Sequence, residues 1–92
     1  MQVKVRFAGL TRHYIGEKER VYELPEGARV GDLLARIGRD YGARLPRQMW
    51  NGKTERFHQS IRAARRGSPF TEDNDVLVQG EEIYIISRMA GG

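Results

Sequence analysis

Arg20-Val21-Tyr22-Glu23-Leu24-Pro25-Glu26-Gly27-Ala28-Arg29-Val30-Gly31-Asp32-Leu33-Leu34-Ala35-Arg36-Ile37-Gly38-Arg39-Asp40-Tyr41 runs through a strand, a break and a helix without interruption. In Arg20 to Leu24, Tyr22 and Leu24 point one way and Val21 and Glu23 the other, the period of two of a half-buried strand. Pro25-Glu26-Gly27 stops it. From Val30 the period changes: Val30, Leu33, Leu34, Ile37 and Tyr41 form one apolar stripe at helical spacing, which predicts a helix over Val30 to Tyr41. Asp32 falls near the positive end of its dipole, and Gly42 supplies a stop signal. Gly38, mid-helix, costs about 1 kcal/mol relative to alanine. Close packing of the helix against a sheet is the expected reason for it.

On the N-terminal side, Val3, Val5 and Phe7 alternate with Gln2, Lys4 and Arg6, which predicts a strand over Gln2 to Ala8. Gly9 to Lys18 reads as a polar turn region with Gly16 at positive φ. The two flanking strands form an antiparallel hairpin.

On the C-terminal side, Leu45, Met49 and Trp50 read as caps on the core, and Asn51-Gly52 as a turn. Glu55 to Arg66 is ambiguous from its residues: Phe57, Ile61 and Ala64 suit a helix, whereas Phe57, Ile61 and Ala63 share a strand face. Arg66-Gly67-Ser68-Pro69 and Asp73-Asn74-Asp75 are turns, and Val76-Leu77-Val78 is a short apolar piece. The last strand covers Glu82 to Ser87, where Ile83 and Ile85 alternate with Tyr84 and Ile86. A first and last strand of similar polarity can pair in the middle of a mixed sheet with the helix on one face. The prediction is an α+β fold whose C-terminus leaves a central strand.

Ninety-two residues make one domain, 1–92, with a single core. Zero cysteines exclude disulfides, thiolate metal sites and a cysteine nucleophile, and fit a reducing, cytoplasmic setting. The start MQVKVRF is no signal peptide, and no apolar run approaches a membrane span. The net charge of +4 admits an anionic partner. However, the densest basic cluster, Arg62, Arg65 and Arg66, is short and lacks the interleaved aromatics of a single-strand binding platform. His13 and His58 lie far apart and no metal site is expected. Glu72, Asp73, Asp75, Glu81 and Glu82 lack calcium-loop spacing. Ser60 and Ser68 have no base-and-acid partners for a hydrolase, and no phosphate-binding glycine motif is present.

The chain closes on Gly91-Gly92. Two glycines remove both side chains beside a terminal carboxylate and leave a thin, flexible tail of bare backbone. Such a tail can thread a narrow channel and present its carboxylate to another enzyme.

Three blocks then carry a resemblance. Leu24-Pro25-Glu26-Gly27 with Val30-Gly31-Asp32-Leu33-Leu34, Gly80-Glu81-Glu82-Ile83, and Ala90-Gly91-Gly92, in this order and spacing, resemble the small sulfur-carrier proteins of ubiquitin-like β-grasp fold. The nearest group is the molybdopterin synthase small subunits, with thiamine- and cysteine-pathway carriers as relatives. The resemblance implies a mixed sheet of four to five strands with one main helix, and a strand over His58 to Arg65 ended by Arg66-Gly67. Ser87, Arg88 and Met89 replace the residues often found before the family's tail, and Ala43 to Ser60 is longer than in compact members.

The resemblance also implies a chemistry. A partner with bound ATP joins the Gly92 carboxylate to AMP, and sulfur from a persulfide makes it a thiocarboxylate that donates sulfur. In the molybdopterin case the acceptor is a cyclic pterin phosphate. Gly92 and Gly91 are then the functional residues. The carrier binds no cofactor and is not catalytic alone; its partners are an activating enzyme and a large synthase subunit or other acceptor. Docking is expected on the sheet face away from the helix, through Tyr84, Ile86, Arg88 and Met89 beside Lys4 and Arg6, against an acidic partner. Sulfur delivery to another metabolite, a protein modifier joined through Gly92, and a basic RNA-binding module are the alternatives.

Overall fold

The computed structural model describes residues 1–68 and 71–88. Strand β1 (Gln2–Phe7) is followed by helix α1 (Leu10–Ile15), strand β2 (Glu19–Glu23), helix α2 (Val30–Tyr41), the short strands β3 (Trp50–Asn51) and β4 (Arg56–Phe57), β5 (Ile61–Arg65) and β6 (Glu82–Ser87). Four strands form one mixed sheet in the order β2-β1-β6-β5. Central β1 and β6 are parallel, Val5 opposite Ile83 and Phe7 opposite Ile85. Edge strands β2 and β5 are each antiparallel to their neighbour. This is the ubiquitin-like β-grasp arrangement.

Alternation decides which side is core. Val3, Val5, Ile83 and Ile85 are fully buried, and Phe7, Tyr22, Ile61 and Ala63 join them on the face that α2 covers. Helix α2 delivers Val30, Leu33, Ile37 and Tyr41 to the same layer. Its span is the one that the apolar stripe predicts. The Arg29 N–H donates to the Asp32 carboxylate at 2.9 Å, so Asp32 satisfies one of the free donors of the first turn as well as its dipole.

Gly38 keeps its place for a different reason than packing on the sheet. A Cβ there would lie 2.1 Å from the Trp50 ring, and one at Gly42 2.5 Å from its Nε1. One turn apart on the helix, the two glycines make a slot for the indole. Leu45, Met49 and Trp50 are all buried, as caps should be, and Phe57 meets Trp50 edge-on at 4.9 Å between centroids. Gly42 does end α2, as its C-cap, but without a left-handed turn: its φ is −54° and the chain continues into a 3-10 turn over Gly42–Arg44.

Two further expectations are corrected. Gly9 to Lys18 is not only turn, because Leu10–Ile15 forms α1, ended by Gly16 at φ 81°. Thr11 and Ile15, four apart, are its buried face, and the Thr11 hydroxyl donates to the Ile85 carbonyl at 2.8 Å. Six residues are too few for a helical period to stand out among polar neighbours. The strand expected over His58 to Arg65 starts only at Ile61. His58 to Ser60 form a turn in which the Ile61 N–H donates to the His58 carbonyl at 2.9 Å. The helical alternative for this segment is set aside by the pairing of Ile61–Arg65 with β6.

Candidate functional site

Strand β6 carries the chain toward the Gly-Gly end, and its backbone is tied along its whole length. The Lys4 N–H donates to the Glu81 carbonyl at 2.9 Å, the Ala8 N–H to the Ile85 carbonyl at 3.1 Å and the Arg88 N–H to the Ser60 carbonyl at 2.8 Å. Ser60 is itself held, because its N–H donates to His58 Nδ1 at 3.1 Å and its hydroxyl meets the same nitrogen at 2.9 Å. Gly91, Gly92 and Met89 lie outside the described residues; Arg88 is the last one described.

The strand enters through Gly80, at φ 78°. Glu81, with its side chain 11% exposed, pairs with Arg65 at 2.6 Å and accepts the Val78 N–H at 3.0 Å. Arg65 also donates to the Val76 carbonyl at 3.0 Å. The first acid of the Gly-acid-acid turn therefore locks the 76–81 loop to the end of β5. The second, Glu82, faces outward, pairing with Arg6 at 2.5 Å and accepting the Tyr84 hydroxyl at 3.0 Å.

The outer face of the sheet follows from the register. Arg6 lies opposite Tyr84 across the β1–β6 pair, and Tyr84 and Ile86 lie opposite Ala64 and Arg62 across β5–β6. Lys4 lies opposite Val21, which is 52% exposed. Lys4, Arg6, Tyr84 and Ile86 thus share one side of the sheet, as the alternation of β6 predicts, and the exposed Arg88 follows just past the end of the strand. Tyr84 and Ile86 are half-buried and form an apolar centre with Ala64. The rim is less basic than the sequence implies, since Lys4 meets Glu19 at 3.3 Å and Arg6 meets Glu82.

Arg62 and Ala64 belong to this face and were not singled out for it. The signal was available: once β5 is antiparallel to β6 with Ile61 and Ala63 inward, Arg62 and Ala64 must face outward. The same geometry divides the basic cluster, turning Arg62 to the outer face while Arg65 is held by Glu81. Among the described residues, no group of three His, Cys, Asp or Glu side chains could hold a metal ion, and no helix is long and apolar enough to cross a membrane. His13 and His58 are both exposed.

No family model matches the chain. A curated protein does: the molybdopterin synthase sulfur carrier subunit of Chlamydomonas reinhardtii is 34% identical over 92 residues, covering 100% of both chains. Among solved structures, SAMP1 from Haloferax volcanii superposes with a TM-score of 0.80 at 17% identity over 100% of each chain. A putative molybdopterin converting factor, subunit 1, from Pyrococcus furiosus gives 0.74 at 23% identity over 96% of this chain and 98% of that one. Urm1 from Trypanosoma brucei gives 0.71 at 15%, over 99% and 95%. At these identities the solved structures establish the fold, whereas the full-length relative establishes kinship. The chain belongs to the ubiquitin-like family of molybdopterin synthase sulfur carrier subunits.

Proposed function

We propose that this protein carries sulfur as a thiocarboxylate on Gly92 and delivers it in the cytoplasm for molybdopterin synthesis. The observation that carries the reading is the end-to-end match to a molybdopterin synthase sulfur carrier subunit, in a chain that runs from a central strand to Ala90-Gly91-Gly92. A carboxylate is a poor electrophile. An activating enzyme with bound ATP joins it to AMP and releases pyrophosphate, giving a mixed anhydride with a good leaving group. A donor persulfide then displaces AMP and forms an acyl disulfide. A second thiol of the donor cleaves that S–S bond, leaving the thiocarboxylate on Gly92 and a disulfide on the donor. The sulfur of Gly92 is nucleophilic at neutral pH and attacks the bound pterin precursor. The carrier supplies reach and docking, with no general base and no metal of its own; glycine at 91 and 92 leaves no side chain to meet the walls of a narrow channel.

Docking uses the outer sheet face. Its apolar centre, Tyr84, Ile86 and Ala64, supplies the contact, while Lys4, Arg6 and Arg88 orient the approach. Intact mass after incubation with ATP, the activating enzyme and a sulfur source tests the chemistry. One oxygen must be replaced by sulfur, and the change must vanish on deleting Gly92. Conjugates of higher mass in cell extract, with no thiocarboxylate, would instead mark a modifier joined to lysine.

A further inference from the structure

On the flank where β2 meets α2, two guanidiniums converge on the Asp40 carboxylate and a third lies beside them over Tyr41. Arg20 lies 3.0 Å from Asp40, and Arg36 lies 3.6 Å from the same oxygen. Arg20 sits over the Tyr22 ring at 4.6 Å and the Tyr41 ring at 5.6 Å. Arg36 covers Tyr22 at 5.6 Å and Arg44 covers Tyr41 at 5.6 Å. The Arg44 guanidinium also donates to the Ile15 carbonyl at 2.8 Å, and the Tyr22 hydroxyl donates to Asp40 at 3.1 Å. Against three positive charges the cluster holds two negative ones, Asp40 and the exposed Glu17 that reaches the Tyr41 hydroxyl, which leaves an excess of positive charge. The aromatic faces hold the guanidinium planes in place, so these side chains lose little further freedom when an anion arrives.

We propose that this flank is a second docking surface, one that takes the carboxylates of an acidic segment of a protein partner. Arg36 and Arg44 are exposed, and their planar forks match a carboxylate. A nucleic acid fits less well. Tyr22 and Tyr41, 1% and 4% exposed, lie beneath the guanidiniums and offer no ring to a base. Asp40, and Glu55 paired with Arg39 at 3.2 Å, interrupt the positive surface that a continuous phosphate chain would track.

The place in the fold gives the surface its use. β1 separates β2 from β6, so the flank stands roughly 10 Å from the tail-bearing strand at about 4.8 Å per strand step. Tyr22 and α2 lie on the inner side of the sheet, whereas Tyr84 and Ile86 lie on the outer. A partner bound here leaves the outer face open.

The probe is a synthetic peptide of alternating glutamate and glycine, titrated at low salt and followed by calorimetry and by the arginine Nε–Hε signals. The signals of Arg20, Arg36 and Arg44 should move first. R36Q/R44Q should weaken binding at least about fivefold, as expected for the loss of two partly exposed charge pairs. R47Q/K53Q, which removes the same charge from the exposed Arg47 and Lys53, should weaken it less than about twofold. Thermal melting checks that both pairs fold. Equal losses in the two pairs, or shifts spread over all arginines, would overturn the proposal. So would tighter binding of an RNA duplex through these same three residues. R36K/R44K keeps the charge and loses the fork, so affinity fully restored by lysine would overturn the role given to the stacked geometry.

Discussion

The two faces of the four-stranded sheet are made by the same strands and do opposite things. Inward, Val3, Val5, Ile83 and Ile85 are sealed beneath α2 with no polar partner to satisfy. Outward, the intervening residues alternate charge with half-buried apolar groups: Lys4 on Glu19, Arg6 on Glu82, Tyr84 leaning on Glu82, Ile86 beside Arg62. The inner face is specified by volume and the outer by pairing. A substitution on one side should therefore be read in stability, and on the other in association.

The hardest test of that division is Ile85→Ala, which empties a fully buried site between Phe7 of β1 and Ala63 of β5, where Thr11 of α1 also reaches the strand. It should cost about 3 kcal/mol in a urea titration, and a cost below about 1 kcal/mol would mean that the inner face is not packed as described. Next comes Gly38→Ala. Helix propensity alone predicts a gain of about 1 kcal/mol, but a Cβ 2.1 Å from the rigid Trp50 ring should turn this into a net loss of about 1–3 kcal/mol. The companion Trp50→Leu background, which widens the slot, should remove much of the penalty.

A pH titration probes the inner face at its β2 edge. Burial raises the Tyr22 phenol well above its ordinary value of 10.0, with the Arg20 guanidinium opposing, and burial raises Tyr41 as well. The folded chain keeps phenolic protons that the unfolded chain releases. Their stabilising contribution is fully present below about pH 10 and is lost as the pH climbs through the folded values. The urea midpoint should fall as the pH rises above about 10, where the unfolded phenols ionise, and Tyr22→Phe should flatten that slope while losing the bond to Asp40.

The smallest stability effects belong to the outer face. Ile86→Ala should cost about 1 kcal/mol or less, yet slow activation by the partner enzyme. Lys4→Glu with Arg6→Glu breaks two exposed pairs, about 0.5 kcal/mol each, and should also slow activation. Kinetics untouched by all three substitutions would remove the outer face from the docking account.

Much of this was legible because it is local. The stripe from Val30 to Tyr41 and the alternation in β1, β2 and β6 are periodic, and period alone gave the spans of α2 and β6, those of β1 and β2 to within a residue at each end, and the buried sides. What escaped was set by distant partners. Nothing near Gly38 announces that Trp50 will lie in its slot, and nothing near Glu81 announces Arg65 as its counter-ion. The extent of β5 was missed because His58 to Ser60, chemically unremarkable in a strand, close a side-chain-bonded turn instead. On the outer face, alternation revealed which residues look outward, but it could not reveal that Glu19 and Glu82 neutralise the cations placed there.

The placement of β6 between a parallel and an antiparallel neighbour has a mechanical consequence. Tension applied beyond Arg88, along the strand, would load both ladders in shear, so that many hydrogen bonds resist at once instead of parting in sequence. An enzyme that tugs on the tail would turn the whole body before it peeled the strand away, and the handle would survive repeated cycles of capture and release.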